Sequence, residues 1–208
     1  MRWRADLAAR VAAHWRFKAI LSIALTIFFC VPYFTLQHLV LFPVRTLSPT
    51  AIDQAIAFDP RWVWAYQSVY VLIAVVPWLA TSRPHLERYA RGFAVLSVAA
   101  FACFLFFPVA GPRPESLPDS GMFSWLVWYD KPLNALPSLH VGLAAYTVCF
   151  GARMSAGSLS PPTRLGLIAV GTVWVAAIAY AALATKQHYA VDLPAGALAA
   201  WLAHWRVP

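Results

Sequence analysis

The sequence predicts an all-α polytopic membrane protein in which six transmembrane helices form one domain, residues 1–208. Of the 208 residues, 61% are hydrophobic and 12% are charged, whereas soluble globular domains carry about 25% charged residues. The polar surface is therefore too small for a water-soluble protein, and the high apolar content also excludes intrinsic disorder. The net charge of +8 does not indicate a nucleic-acid partner, because the basic residues cluster at the ends of apolar runs.

Six apolar stretches predict the membrane spans. A helix needs about 20 apolar residues to cross a hydrocarbon core about 30 Å thick. Three stretches reach or approach that length, namely residues 20–42, 62–80 and 165–184. Residues 93–109 are slightly short but uninterrupted. Residues 139–153 and 189–205 are shorter or contain polar residues and need shelter from neighbouring helices.

The basic residues predict the orientation of the spans. Eleven of the sixteen Lys and Arg residues lie in the N-terminus, residues 81–92, residues 153–164 and the C-terminus. The other alternate loops contain the remaining five, Arg45, Arg61, Arg113, Lys131 and Lys186. By the positive-inside rule, both termini are expected in the cytoplasm of an inner (plasma) membrane protein.

The basic segment at residues 1–18 has two interpretations. Trp3, Leu7, Val11 and Trp15 recur every four residues between arginines, which is typical of an amphipathic helix lying in the membrane interface. A frayed basic tail is the alternative.

Asp192 is an ionisable residue inside a predicted span, where a charge costs about 2.5–3.5 kcal/mol on insertion scales. It follows His188 by four residues, and on a helix this spacing places both side chains on one face. A carboxylate there can accept the imidazole N–H and stabilise the imidazolium. An Asp bound to a neighbouring helix, with His188 at the interface, is the alternative.

His140 lies where the fourth span begins. Pro137 and Ser138 are typical of a helix start, with Ser138 as the N-cap and His140 in the first turn. The free backbone N–H groups and the helix dipole at such a terminus attract an anion such as phosphate. A capped helix with an incidental His is the alternative.

Topology brings these residues to one side of the membrane. Arg113 ends the third span, His140 begins the fourth, and Lys186 with His188 begins the sixth, all at the outer face. An Arg at this boundary usually extends to the lipid headgroups. Here a guanidinium, two imidazoles and a carboxylate are expected to meet at one depth.

Pro137-Ser138-Leu139-His140, followed by His188-x-x-x-Asp192, resembles the second and third motifs of the type 2 phosphatidic acid phosphatase superfamily. Its inositol phosphorylceramide synthase and sphingomyelin synthase branch is the most similar. The resemblance covers roughly residues 105–200, with the motifs inside 111–196. It implies a six-helix membrane fold, a membrane lipid substrate and a phosphohistidine mechanism.

The chain departs from the family's first motif, Lys-x6-Arg-Pro. Arg113-Pro114 fits its end, but Phe106 occupies the Lys position. Phosphatase members also carry an Arg six residues before the third-motif His, where this chain has Ala182. With Lys186 or Lys131 as substitutes, this loss favours the synthase-like branch.

The resemblance implies a role for each matching residue. His188 is the nucleophile, Asp192 holds its other ring nitrogen, and His140 protonates the leaving oxygen and later activates water or an alcohol. Arg113, Lys186 and the helix start at Ser138 bind the phosphate oxygens. This scheme uses no metal and no cofactor.

Three questions stay open at this point. The loop at residues 123–129 is either an interfacial flap beside the site or an ordinary aromatic belt. Two other functional classes are a metal-dependent lipid oxidase, disfavoured by the presence of only six His, and a transporter that binds lipid phosphate without turnover. The lipid donor, the acceptor and the oligomeric state are not indicated.

Overall fold

The computed structural model describes residues 2–114 and 121–207, and most of them are helical, as the sequence predicts. In chain order the α-helices α1 to α10 are Arg2–Ala12, Trp15–Leu36, Ala51–Ala55, Val63–Gln67, Val69–Trp78, Arg83–Phe106, Met122–Tyr129, Leu139–Met154, Pro161–Ala184 and Asp192–Arg206. A single 3-10 turn, Pro60–Trp62, precedes α4. Strand β1, Arg45–Thr46, pairs in parallel with β2, Val109–Ala110.

Three of the described helices are long and apolar enough to cross a membrane, namely α2, α6 and α9. The other predicted spans correspond to α4 with α5, to α8 and to α10. Helices α8 and α10 have 16 and 15 residues, about 24 Å and 22 Å, and are shorter than the hydrocarbon core. Six membrane crossings therefore stay a prediction.

The limits of the first two spans differ from the predicted ones at places where polar side chains make hydrogen bonds. Helix α2 starts at Trp15 rather than 20 because Lys18 Nζ binds the carbonyl oxygens of Arg10 and Trp78, at 2.6 and 2.7 Å. It ends at Leu36, where Gln37 turns its amide towards Asp130. The second span breaks at Ser68, between α4 and α5.

The third span begins ten residues before its predicted start at residue 93. Ser82 caps the helix by accepting a hydrogen bond from the backbone N–H of His85, and Pro84 lies in the first turn. Proline is tolerated there because the first N–H groups of a helix have no intrahelical partner. The basic first turns of α6 are therefore helical, although their charge hides them in a search for apolar runs.

The N-terminal segment forms α1, with Arg10 paired to Asp6 at 3.0 Å. His14, in the left-handed conformation with φ 54°, separates α1 from α2. Trp15 therefore lies on α2, and the predicted four-residue repeat does not continue along a single helix. The side chain of Trp3 lies outside the described residues, and binding of α1 to the membrane surface stays a prediction.

Helix α8 is the central element of the fold. It packs against α5, α6, α9 and α10, and nine of its 16 residues are buried. Its core-facing side includes Leu139, Leu143 and Phe150. The Pro137–His140 motif at the start of α8 is therefore surrounded by other helices, which is the shelter that its polar residues require.

Candidate active site

His188 lies in the buried turn between α9 and α10 and is 4% exposed. Its Nδ1 is 2.9 Å from the carbonyl oxygen of Ala135. Because a carbonyl only accepts hydrogen bonds, Nδ1 carries the ring proton and Nε2 holds a free electron pair. The contact with the backbone thus favours the tautomer in which the electron pair of Nε2 is available.

Asp192 approaches the same ring nitrogen but does not share a helix with His188, and this part of the sequence prediction is wrong. Helix α10 begins at Asp192, and His188 lies in the turn before it. A helix that included His188 would place Pro194 in its interior, where the ring would clash with the carbonyl of Ala190. At Asp192 the helix start leaves Pro194 in the first turn, where proline is tolerated.

The turn nevertheless brings the two side chains together. The backbone N–H of Tyr189 donates to Asp192 Oδ2 at 2.8 Å, and the N–H of Asp192 donates to the Tyr189 carbonyl at 3.0 Å. His188 Nδ1 and Asp192 Oδ2 are 3.4 Å apart. Asp192 is fully buried, so it supplies negative charge beside the ring while Ala135 provides the nearer acceptor.

His140 lies opposite His188, in the first turn of α8 as predicted. The two ring centroids are 6.1 Å apart. The Nε2 of His140 is buried and has no hydrogen-bond partner among the described residues. A buried polar atom without a partner costs free energy, and a donor or acceptor on a bound substrate would recover it.

Tyr66, which the sequence analysis missed, connects the two histidines. Its ring stacks on His140 with centroids 3.8 Å apart and an interplanar angle of 21°. Its hydroxyl lies 3.4 Å from His188 Nε2. Tyr66 is 1% exposed, so one rigid aromatic ring fixes the spacing of both imidazoles.

The start of α8 is fixed by contact with the start of α10. Ser138 Oγ accepts a hydrogen bond from the N–H of Val141, which confirms the predicted N-cap. The N–H of Ser138 donates to the Asp192 carbonyl at 3.0 Å. A side chain on Gly196 would meet the Ser138 carbonyl oxygen at 2.2 Å, so only glycine permits this crossing. The N–H groups of Leu139 and His140, at the first two positions of α8, have no intrahelical acceptor.

Arg113 reaches the catalytic turn from the end of β2. Its guanidinium donates to the side-chain oxygen of Gln187, the residue before His188, and to the Asp130 carbonyl at 2.7 Å. The carboxylate of Asp130 accepts from the Tyr33 hydroxyl at 2.9 Å and from Gln37 at 2.6 Å. Burial raises the pKa of Asp130 and lowers that of Arg113, which stays charged because a guanidinium loses its proton only far above neutral pH.

Lys186 lies two residues before His188, but its ammonium binds the carbonyl oxygens of Asp53 and Ile56. Asp53 Oδ1 accepts the backbone N–H of Ala190 at 2.8 Å. Burial opposes ionisation of Asp53, but hydrogen bonds from Thr50 and Ala190 outweigh it and hold its pKa below the usual value. These contacts attach the short helix α3 to both sides of the catalytic turn.

At the two positions where the family pattern has a cation, this chain has an apolar residue in apolar surroundings. Phe106 is 61% exposed and lies against Phe42, with ring centroids 5.6 Å apart. Ala182 is fully buried beside Val63 and Tyr66, and its carbonyl oxygen accepts the N–H groups of Gln187 and His188. Neither residue therefore supplies a cation for phosphate.

The aromatic loop at residues 123–129 is helical, forming most of α7. Phe123 and Leu126 are buried against α4 and α9, whereas Trp125 and Trp128 are 54% and 72% exposed. This division suits both a flap and an aromatic belt, so the two interpretations stay open.

Sequence reasoning therefore found the motif residues but missed those that hold them. Tyr66 lies in an apolar run, where nothing marks one aromatic residue as special. Asp53 and Asp130 could have been noticed, since the chain has only eight acidic residues and both lie in loops that the sequence predicts on the same side as the histidines. Gln187 is marked only by its place beside His188.

Comparison with known protein families agrees with this arrangement. Residues 50–206, 157 of the 208 residues, match a family model described as the PAP2 superfamily. The matched range contains all the predicted catalytic and phosphate-binding residues and leaves α1 and α2 outside. No curated protein and no solved structure gives a significant match. With three quarters of its length matched and both histidine motifs inside the match, the chain belongs to the PAP2 superfamily.

Proposed function

We propose that the protein is a membrane lipid phosphotransferase that acts through a phosphohistidine on His188. The observation that carries this proposal is the hydrogen bond from His188 Nδ1 to the Ala135 carbonyl, which leaves Nε2 as the nucleophile. The PAP2 superfamily membership supports phosphatase-type or phosphotransferase-type chemistry on a lipid.

In the first step Nε2 of His188 attacks the phosphorus, and the bond to the lipid alcohol breaks. His140 gives its proton to the leaving oxygen, while Asp192 stabilises the positive charge on the His188 ring. In the second step His140 takes a proton from the acceptor hydroxyl, whose oxygen attacks phosphorus and releases His188. The orientation of both rings by Tyr66 supports this exchange.

In this scheme Arg113 and the N–H groups of Leu139 and His140 bind the phosphate oxygens. Both N–H groups lie in the first turn of α8, directly after the N-cap Ser138. Lys186 stays a proposed phosphate ligand through its third N–H, since two N–H groups already bind backbone carbonyls. No metal or cofactor has a role in this scheme.

The charge of the site favours a phosphodiester donor. Phe106 and Ala182 supply no cation, and the ammonium of Lys186 is largely engaged by the backbone. A diester carries one negative charge, and a monoester carries nearly two at neutral pH, so the diester needs fewer cations. The site is also buried, which keeps water scarce and favours transfer of the phosphoryl headgroup to a lipid hydroxyl, as in the synthase-like branch.

A paired substrate experiment tests the reaction. Purified protein receives a phosphodiester and a monoester of the same diacylglycerol, with and without an alcohol acceptor, and products are identified by mass spectrometry. We expect faster diester cleavage that depends on the alcohol. Faster monoester cleavage to free phosphate, without alcohol dependence, would make the protein a lipid phosphatase.

His188→Ala tests the mechanism, with His38→Ala as its control, because His38 is exposed and outside the site. We expect turnover to stop in the first variant and to continue in the second. Full activity in folded His188→Ala would refute the phosphohistidine route. Binding of lipid phosphate by the wild type without any product would instead support a transporter.

We also propose six membrane crossings, with both termini cytoplasmic and the histidines at the outer face. The eleven-to-five distribution of basic residues supports this orientation. In a background without native cysteines, Ser48→Cys should react with an impermeant thiol reagent added outside, and Ser158→Cys should not. The opposite labelling pattern would invert the orientation.

A further inference from the structure

A cavity of about 670 Å³ lies between α2, α5, α6 and α7. Its lining is almost entirely apolar and includes Leu25, Phe29, Ile73 and Phe93. This volume lies within the range of about 300–1,000 Å³ typical of small-ligand sites. Helix α2, which forms one wall, lies outside the residues that match the superfamily.

The outer end of the cavity adjoins the candidate active site. Tyr33 and Tyr70 line it there, and Tyr33 binds Asp130 through its hydroxyl. The Tyr70 ring meets the His140 ring edge-on, with centroids 6.0 Å apart. A second void of about 10 Å³ is lined by both tyrosines and by His140. Only the ring of Tyr70 therefore separates the outer end of the cavity from His140.

The cytoplasmic end of the cavity is crossed by hydrogen bonds. Lys18 Nζ, on α2, binds the Trp78 carbonyl on α5 at 2.7 Å, and the Trp78 indole N–H donates to Ser22 on α2 at 3.0 Å. Lys18 also binds the carbonyl of Arg10 on α1 at 2.6 Å. We call Lys18, Ser22 and Trp78 the floor of the cavity.

The distance between floor and active site indicates the shape of the occupant. Lys18 and Tyr33 are fifteen residues apart on one helix, about 22 Å at the rise of an α-helix. One leaflet of the hydrocarbon core is about 15 Å thick. The cavity thus extends along most of α2, has a largely apolar lining and has polar groups near both ends.

We propose that this cavity binds one hydrocarbon chain of the lipid whose phosphate reacts at His188, and that the floor limits the length of that chain. This inference rests on the proposed function. Continuity with His140 identifies the occupant, since the reacting phosphate and the chain belong to one molecule. Chains that reach the floor bury every methylene, whereas longer chains must displace Lys18 and Trp78 from their hydrogen bonds.

Photo-crosslinking tests the proposal without requiring turnover. The probes are lysophosphatidylglycerols with octanoyl, dodecanoyl or hexadecanoyl chains that carry a diazirine at the methyl end. Crosslinked residues in the full-length protein are mapped by mass spectrometry. We expect the crosslinks to move along α2 towards Ser22 as the chain lengthens. Crosslinks confined to lipid-facing residues such as Ile23 and Ile27, whatever the chain length, would overturn the proposal.

A matched pair of variants narrows the test. Ala74 lines the cavity midway, whereas its neighbour Val75 is 50% exposed on the outer surface of α5. Ala74→Phe should displace about two methylene groups and weaken binding of the longest probe about tenfold. Val75→Phe should leave it unchanged, and equal effects of both variants would count against the cavity.

Crosslinking and diester turnover, measured on the same wild-type protein, separate this inference from the proposed function. Cavity crosslinks without turnover in the wild type would keep the chain site and refute the enzyme. Turnover of the diester without cavity crosslinks would keep the enzyme and refute the chain site.

Discussion

The two ends of this molecule are held together in different ways. Around the histidines, α8 and α10 touch through their backbones, with Gly196 against the Ser138 carbonyl. Helix α2, by contrast, makes hydrogen bonds near both of its ends, through Lys18 in its first turns and through Tyr33 in its last turn. Between those two points it borders a cavity. Close backbone contact fixes the spacing of the histidines, whereas α2 packs on α6 through side chains such as Phe29 and leaves space for a ligand.

The largest effect is expected where the backbones meet. Gly196→Ala places a methyl group 2.2 Å from the Ser138 carbonyl oxygen, and a backbone atom cannot move without shifting the α8 N-terminus. We expect a destabilisation of about 1–3 kcal/mol from overpacking and an activity loss of about 100-fold from misplacement of His140. Thermal unfolding in detergent and initial rates measure both.

Gly166→Ala is the matched control for that substitution. Gly166 also lies on a long helix, α9, but a side chain there would meet nothing within 4 Å. The control should keep wild-type activity and gain slightly in stability, since alanine favours helix over glycine. Equal losses in both variants would mean that the backbone crossing is unimportant.

Substitutions of Tyr66 test whether its ring and its hydroxyl position the two histidines. Tyr66→Phe keeps the stack on His140 and removes the hydroxyl near His188 Nε2. We expect kcat/KM to fall about tenfold, the value of one hydrogen bond. Tyr66→Ala removes the stack as well and should cost clearly more. If both variants lose equal activity, the ring itself has no positioning role.

Lys18 tests the contacts at the far end of the molecule. Lys18→Met removes two hydrogen bonds from a buried ammonium and leaves the carbonyls of Arg10 and Trp78 without that partner. We expect stability to fall by about 2 kcal/mol. Turnover of lipids whose chains end short of Lys18 should change little, because the histidines lie at the other end of the cavity. Arg16→Met, at an exposed position two residues away on α2, is the control and should change neither.

The smallest effect is expected at the contact between α3 and the catalytic turn. Asp53→Asn keeps an oxygen for the Ala190 N–H but loses the charge. The pKa of Asp53 is lowered in the folded protein, so its stabilisation is complete above the unfolded pKa, about 3.9, and is lost as pH falls through the folded pKa.

Hydrogen exchange measures this contact directly. In the wild type, protection of residues 185–191 should decrease as pH falls below about 4. Asp53→Asn should show weaker protection at neutral pH and little further acid change. An unchanged acid transition in the variant would assign the titration to another group.

The candidate catalytic residues could be predicted from the sequence, whereas most of the contacts that hold them in place could not. His140, His188 and Asp192 stand out because charged groups are costly among apolar residues. The His188–Asp192 pair was found by its spacing, although a turn rather than a helix brings the two together. Tyr66 and Lys18 could not be singled out, since their importance depends on partners 122 and 60 residues away in the chain. Gly196 is equally inconspicuous until the crossing helix is known.

The most direct test of the account is the position of phosphorus on the enzyme. The protein, with ¹⁵N-labelled histidine, is quenched during turnover of a phosphodiester lipid, and the P–N bond is located by mass spectrometry and by ³¹P–¹⁵N coupling. Because Nδ1 is held by the Ala135 carbonyl, the account predicts phosphorus on Nε2 of His188. Phosphorus on Nδ1 of His188, or on His140, would contradict it.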